Sequence, residues 1–364
     1  MRNLRILHII FSMRTGGAEN LLVDIINQMR RHSQVYLMVI NSEKDKSLID
    51  KIEVDVDTIY LDRPPGSKNP FYIMKFFYHI LRIKPEIIHV HNWNLIYLLL
   101  PFKLFRRQPM ILTLHDIKIK FKKTIKYFDK IICISKAVYK DLRKRCSLCN
   151  GVVIYNGINF DSILGKKQFK NKKFKICQVS RLDHLKKGQH ILLKAFSLFL
   201  KKYPDSELHL YGDGPSKEYL VQLSQDLGIY DKVFFHGKVD RHKIYKELHK
   251  CSLLVQPSLY EGFGLTIIEC MAAKVPVLVS DIDGPMEIID YGQYGLYFKS
   301  GSYEDCYKKL ILIKQMYDTD LQFLKDCIDR SYNYAIRKFS IRHTISEYLG
   351  LYYRLLLKKS ISGL

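Results

Sequence analysis

Short, mostly apolar runs recur along the first half of the chain: Leu4–Ile10, Val35–Ile40, Ile87–Val90, Met110–Leu114, Ile131–Ile134 and Val152–Ile154, with Val54–Leu61 reading as a further, more polar strand. Continuous rather than alternating apolarity marks strands covered on both faces, the pattern of parallel sheets flanked by helices. Stretches with helical spacing lie between them. Ala18–Arg31 carries Leu21, Leu22, Ile25, Ile26 and Met29 on one face. Phe71–Ile83 carries a heavy aromatic face, expected to be core, and ends before Pro85. Ser135 is a ready N-cap for a helix through Arg145. Phe160–Lys173 is lysine-rich and loop-like and reads as a linker. The alternation then restarts, with strands at Lys175–Val179, Leu208–Tyr211, Val233–Phe235, Leu253–Gln256 and Val275–Val279 and helices at Gln189–Tyr203, Arg241–Lys250 and Leu265–Ala273. A stripe at Ile341, Ile345, Tyr348, Tyr352 and Leu355 predicts a last helix. Strand–helix alternation over 364 residues implies an α/β chain of two doubly wound, Rossmann-like domains. We divide it into residues 1–158, 159–335 and a C-terminal helical segment 336–364.

Charge adds a second layer. The chain holds 59 Lys and Arg against 36 Asp and Glu, a formal net charge of +23. The excess is uneven: residues 1–170 carry 30 basic and 14 acidic side chains, and Lys103–Arg145 alone carries 14 against 3. Such a half suits an anionic partner, a nucleic acid or an anionic membrane leaflet, although lysine-favouring codon usage gives the same count. Ile117–Tyr127 reads as a basic amphipathic helix, with Ile117, Phe121 and Ile125 on one face, and suits either a membrane interface or a packed stripe under a solvated lysine face. The most apolar segment, Leu95–Phe105, is broken by Pro101 and Lys103 and is far short of the ~20 residues that span a bilayer. The start of the chain reads as a strand and not a signal peptide. Cys146 and Cys149 form a C-x-x-C without a second metal-spaced pair, so the eight cysteines read as free or incidental thiols of a reducing compartment. His89 and His91 flank a strand end and, with no third ligand near in sequence, read as loop-end residues and not as metal ligands.

The chemistry concentrates where strands run into glycine turns and helices. Leu253–Gln256 stops at Pro257; Glu261-Gly262-Phe263-Gly264-Leu265 follows, and Glu269 lies in the helix that begins there. Strand, glycine loop and helix N-terminus together place backbone N–H groups against a phosphate. Gly16-Gly17-Ala18-Glu19 repeats that layout after the first strand, and it is not the dinucleotide G-x-G-x-x-G. Thr113-Leu114-His115-Asp116 stands at a strand's C-terminal end. Val179-Ser180-Arg181-Leu182 and Lys186-Lys187-Gly188 put a planar fork and a point charge at another, which suits a diphosphate. Asp281 and Asp283 make a D-x-D, discounted as a metal site because cationic side chains already stand ready for the phosphates.

In combination these segments resemble the retaining glycosyltransferases of the GT-B fold, family 4, over nearly the full chain. The resemblance implies two doubly wound domains facing across a cleft, with the last helix packing back on the first domain. It implies that Glu261 holds hydroxyls of a donor sugar, that Glu269 holds the ribose, and that Arg181 and Lys187 hold the diphosphate. It also implies that His115 approaches the reacting carbon, and that Gly16, Gly17 and Glu19 line the phosphate and acceptor side. Gly262, Phe263, Gly264 and Leu265 form the phosphate loop, and His236-Gly237-Lys238-Val239 offers its backbone, Val239 included, to the base. The expected donor is a UDP- or GDP-sugar, with no permanent cofactor and no metal. The expected acceptor is a glycan or lipid-linked glycan. Nucleic acid is not expected as a partner. The location is the cytoplasm, including the inner face of the cytoplasmic membrane. An oxocarbenium-like transition state needs leaving-group neutralisation, from Arg181, Lys187 and the helix start at Leu265, and sugar positioning, from Glu261 and His115. Two other readings stand beside it: a sugar-nucleotide epimerase of the same fold, and a non-catalytic basic membrane or nucleic-acid binder.

Overall fold

The computed structural model describes residues 3–14, 16–105, 108–169 and 173–361. The chain divides into two units, Met1–Gly157 with Ile341–Leu364, and Ile158–Ser340.

The first unit is built on seven parallel strands: β1 Leu4–Ile10, β2 Ser33–Asn41, β3 Asp57–Arg63, β4 Ile87–Val90, β5 Met110–Leu114, β6 Lys130–Cys133 and β7 Gly151–Val153. Their spatial order is β3-β2-β1-β4-β5-β6-β7, so the winding reverses between β1 and β4. The second unit repeats the plan with β8 Phe174–Val179, β9 Ser206–Tyr211, β10 Val233–Phe235, β11 Leu253–Gln256, β12 Val277–Ser280 and β13 Leu296–Phe298. Its order, β10-β9-β8-β11-β12-β13, reverses between β8 and β11. In open α/β sheets ligands bind beyond the carboxyl ends of the strands at such a reversal. The loops after β8 and β11 carry Arg181, Lys187 and Glu261; those after β1 and β4 carry Gly16, Gly17 and His91. The predicted central strands are buried on both faces: β4, β5, β11 and β12 have no exposed residue. The edge strands β3, β7 and β10 are only partly covered, and β3 starts at Asp57 and not at the exposed Val54.

Several expectations are corrected. Residues 336–339 complete the helix Leu321–Phe339 of the second unit, and Ser340 ends it with an extended backbone (φ −71°, ψ 144°). The returning helix therefore spans Ile341–Ile361 and packs beside the helix Gly17–Met29 of the first unit. Ile117–Tyr127 is not an amphipathic helix but a loop ending in a 3-10 turn, Lys123–Tyr127. The following helix captures it: Asp141 accepts from the Lys118 backbone N–H (3.1 Å), and the Arg145 guanidinium lies 4.0 Å from the Phe121 ring centre. The aromatic helix, Pro70–Ile83, buries Phe76, Ile80 and Ile83 but leaves Phe71, Met74 and Tyr78 exposed, because one helical stripe is all the sheet can cover. Ile96–Phe105 is helical despite Pro101, and among the described residues no helix is long and apolar enough to cross a membrane.

The linker reading also changes. Lys166 is buried, its backbone N–H bonds Ala273 O and its Nζ donates to Cys251 O at 2.6 Å, tying the segment into the second unit; residues 170–172 of it lie outside the described residues. Burial pulls the Lys166 ammonium down to about 8. Cys146 and Cys149 are joined in a disulfide and are not free thiols. A turn after Arg145, with Cys149 N–H bonded to Cys146 O, brings their Cα atoms to 5.5 Å.

Candidate functional site

The centre of the second unit forms where two loops are pressed together at the β8/β11 reversal. Pro257 ends β11 because it has no N–H to continue the ladder. The loop beyond is pinned from beneath: Ser280 Oγ donates to Ser258 O (2.5 Å), and Gln256 Nε2 donates to Ser258 Oγ (2.9 Å). Gly188 closes the Lys186-Lys187 turn at φ +68°, and a β-carbon there would lie 1.9 Å from Pro257 O, so only glycine lets the two loops meet. Their contact is also ionic. Lys187 Nζ donates to Glu261 Oε2, which receives Ser258 Oγ as well at 3.3 Å. Within the described residues Glu261 Oε1 accepts no hydrogen bond, so a carboxylate held on one oxygen offers the other to a ligand. Lys187 and Glu261 thus form a pair in which the ammonium orients the carboxylate. Arg181 is the opposite case: it is exposed, and its guanidinium makes no bond among the described residues. Its backbone is fixed by Gln189 Nε2, which donates to Arg181 O at 2.9 Å.

The helix Leu265–Ala272 starts from Gly264, which sits at φ +113°, a conformation that L side chains rarely adopt, and no side chain caps it. Its N-terminus thus presents backbone N–H groups and the positive end of its dipole. Glu269 is buried one turn inside, its Oε1 accepting from Tyr245 OH (2.9 Å) and Arg241 Nε (3.2 Å). Arg241 and Tyr245, four residues apart and so on one face of the helix Arg241–Leu248, were missed from the sequence; their i, i+4 spacing was the available signal. Val239 is half-buried in the loop before that helix, whose N-cap is Asp240. Asp281 spends a carboxylate oxygen on the Ser300 backbone N–H at 2.7 Å, a loop-bracing role.

In the first unit the C-terminal ends of β1, β4 and β5 bring together four histidines. His8 and His89 are in register across the β1–β4 pair. His8 Nδ1 lies 3.1 Å from His91 Nε2, and His91 Nδ1 lies 3.1 Å from His115 Nε2. His89 bonds Thr113 Oγ1 (2.7 Å) and Tyr352 OH (2.6 Å) of the last helix. His89 lies inside β4 and His91 at the start of the loop beyond it, and both are buried members of this network. The third ligand-type side chain, missing near them in sequence, is His8 of another strand; one nitrogen from each of His8, His89 and His91 lies within 4.8 Å of the others. Both His89 nitrogens and the facing His8 and His91 nitrogens are already engaged in hydrogen bonds, which is the arrangement of a network and not of an open ligand set. Burial drives all four imidazoles toward neutrality: His8 falls to about 3, His115 to about 4, and His89 and His91 well below the ordinary range.

The Gly16–Gly17 turn differs from its counterpart in the second unit. The carboxyl of Glu19 folds back over the start of its own helix, where a β-carbon on Gly16 would lie 2.3 Å from Glu19 Oε2. Burial pushes this carboxyl above the usual carboxylate range.

Residues 159–333 match the family described as glycosyl transferases group 1, and residues 15–162 match glycosyltransferase family 4. The chain belongs to the group 1 glycosyltransferases. An uncharacterized glycosyltransferase of Methanocaldococcus jannaschii is 29% identical over 247 residues, covering 59% of this chain and 62% of that protein. The Campylobacter jejuni N-acetylgalactosamine-N,N'-diacetylbacillosaminyl-diphospho-undecaprenol 4-alpha-N-acetylgalactosaminyltransferase is 25% identical over 319 residues, 79% of this chain and 84% of that one. Anabaena HepE, solved in complex with UDP and glucose, superposes with a TM-score of 0.77 at 20% identity over the whole of both chains, which establishes the GT-B fold.

Proposed function

We propose that this group 1 glycosyltransferase moves a hexose-type sugar from a UDP- or GDP-sugar to an acceptor hydroxyl with retention of anomeric configuration. The observation that carries the reading is the second unit's centre: an uncapped helix N-terminus, an uncommitted arginine and a carboxylate anchored on one oxygen, all at one sheet reversal. Arg181 and the N–H groups at Leu265 neutralise the departing diphosphate. Glu261, steadied by Lys187, holds sugar hydroxyls through its open oxygen. Glu269, steadied by Arg241 and Tyr245, holds the ribose. His115 meets the sugar as a neutral imidazole, and Val239 offers its backbone to the base. No metal is required by this scheme, because side-chain and helix charge oppose the diphosphate.

For the acceptor we propose a lipid-linked glycan met at the inner face of the cytoplasmic membrane. The Campylobacter relative's diphospho-undecaprenol acceptor supports this, as do the exposed Phe71, Met74 and Tyr78 on a strongly basic first unit. The test is incubation of the full chain with UDP-, GDP- and ADP-sugars, reading thermal shift and nucleoside diphosphate release. One donor should raise the melting temperature and be slowly hydrolysed, and the released sugar should keep the donor's anomeric configuration. Failure of every donor to stabilise the protein would sink the reading.

A further inference from the structure

The first unit holds a cavity apart from its histidines. It lies toward the carboxyl ends of β2 and β3, under the start of the helix Pro70–Ile83, and measures about 80 Å³. Ile40, Leu61, Phe76 and Leu98 give it apolar walls. Arg63, at the end of β3, and Lys68, in the loop after it, bring two cations to its lining.

Arg63 is held in place without being neutralised. Its Nε and Nη2 donate to Asn41 Oδ1 (3.2 and 2.9 Å), and its Nη1 donates to Ser67 O (3.0 Å). Both acceptors are neutral, and they occupy three of the five guanidinium N–H groups. The acidic side chains of the adjoining turns are taken, Asp62 by Lys44 and Glu43 by Arg14. Among the described residues no carboxylate pairs with Arg63, and Lys68 is exposed with no partner of its own. A half-buried cation without a counter-charge is costly until an anion meets it. Phosphate has oxygens enough to take the two remaining Arg63 donors and Lys68 together.

The helix beside the cavity points to what accompanies that anion. Phe71, Met74, Tyr78 and Leu81 recur at helical spacing and are between 48% and 70% exposed, a second apolar stripe that the sheet does not cover. Ile73 lines the cavity and is itself 43% exposed, so the cavity opens onto the outer surface of this helix. A cavity of about 150 Å³ takes one benzene, so the smaller space here admits only the first few carbons of a chain.

We propose that this cavity seats the phosphate end of the acceptor's lipid. Arg63 and Lys68 hold the phosphate next to the chain, the first carbons enter between Ile40, Leu61, Phe76 and Leu98, and the rest of the chain passes along Phe71, Met74 and Tyr78 into the membrane. The proposal rests on the reading of the acceptor as a lipid-linked glycan.

The experiment is titration calorimetry of the full chain with farnesyl diphosphate below its micelle concentration, beside farnesol and inorganic diphosphate. One equivalent of farnesyl diphosphate should bind, tighter than either half by roughly tenfold or more, since each half lacks the buried carbons or the charged hydrogen bonds. Arg63→Gln should weaken it by about tenfold or more, while Arg63→Lys, which keeps the charge, retains part of the affinity. Ile73→Glu, at an exposed position that folding tolerates, sets a carboxylate at the mouth and should weaken binding as much. Met74→Glu, one residue along and outside the cavity, should leave it within a few-fold. Unchanged affinity in Arg63→Gln, or equal losses in Ile73→Glu and Met74→Glu, overturns the proposal. So does loss of binding in Arg181→Ala, which would place the ligand at the donor's diphosphate site, and so does a dimer in solution that Met74→Glu dissolves, which would give the stripe to a second copy. Transfer of labelled sugar into solvent-extractable membrane lipid tests the acceptor reading separately. Transfer without Arg63-dependent binding sinks this site alone; Arg63-dependent binding without transfer sinks the acceptor reading instead.

Discussion

The two units contain the same local device, a strand running into a glycine turn and a helix, and put it in opposite electrostatic states. After β1, the helix that starts at Gly17 receives the carboxyl of its own Glu19 over Gly16. After β11, the helix that starts at Leu265 has no side-chain cap, and the carboxylate of the preceding loop, Glu261, is drawn to Lys187 of a neighbouring loop. Both helix ends attract anions through their dipoles. Only the second is left open by the chain for an anion from outside. The chemistry around each follows suit: the first unit gathers neutral imidazoles, and the second gathers guanidinium, ammonium and carboxylate groups. A glycine turn before a helix is thus a permissive feature, and what decides its use is which side chain reaches the helix end first.

The contrast is sharpest in activity. Arg181→Ala and Glu261→Ala should each lower the transfer rate by about 10² or more, the usual loss when a preorganised charge is removed from a reacting site. Steady-state nucleoside diphosphate release measures it, and rates within a few-fold of the parent would exclude both residues from binding the diphosphate and the sugar in the transition state. A second break is structural. Gly188→Ala sets a β-carbon against Pro257 O at a left-handed φ, so it should destabilise the second unit by on the order of 3 kcal/mol and separate Lys187 from Glu261. Chemical denaturation reads the stability, and an unchanged midpoint would mean that the two loops do not meet at Gly188. The smallest effect is expected at the first turn. Glu19 has its folded pKa raised by burial, so it favours the folded state while protonated and loses that contribution as pH rises through the raised value. Glu19→Gln, which never charges, should therefore be slightly more stable than the parent near pH 7, by less than about 1 kcal/mol, and equal to it in acid. Melting curves from pH 4 to 8 check this; a less stable variant at neutral pH would mean that the helix dipole outweighs burial at Glu19.

Much of the second unit's site was legible because its parts are local. Glu261, the glycine pair and Glu269 lie on one loop and one helix, and Arg181 and Lys187 lie on another loop, so spacing along the chain nearly equals spacing in space. The partners that steady them were not legible in the same way. Arg241 and Tyr245 reach Glu269 from a helix whose place beside it depends on the order β8-β11-β12. Ile117–Tyr127 has helical spacing, yet Asp141 and Arg145 hold it as a loop. The exposed face of Pro70–Ile83 reflects the same limit, since periodicity reveals a stripe but not how much sheet there is to cover it.

What the sequence alone determined about this protein is the alternation of buried strands and amphipathic helices, the glycine turns between them and the residues those turns carry. These follow from backbone sterics and side-chain periodicity over a few residues. What only the tertiary structure decided is pairing across the sheets. His8 was a polar residue in an apolar strand until β1 was seen beside β4, in register with His89. Nothing near Lys187 in sequence pointed to Glu261, 74 residues on, until the close approach of Gly188 to Pro257 O brought the two loops together. Hydrogen bonds and ion pairs act over about 3 Å, and which groups come that close is set by strand order and register.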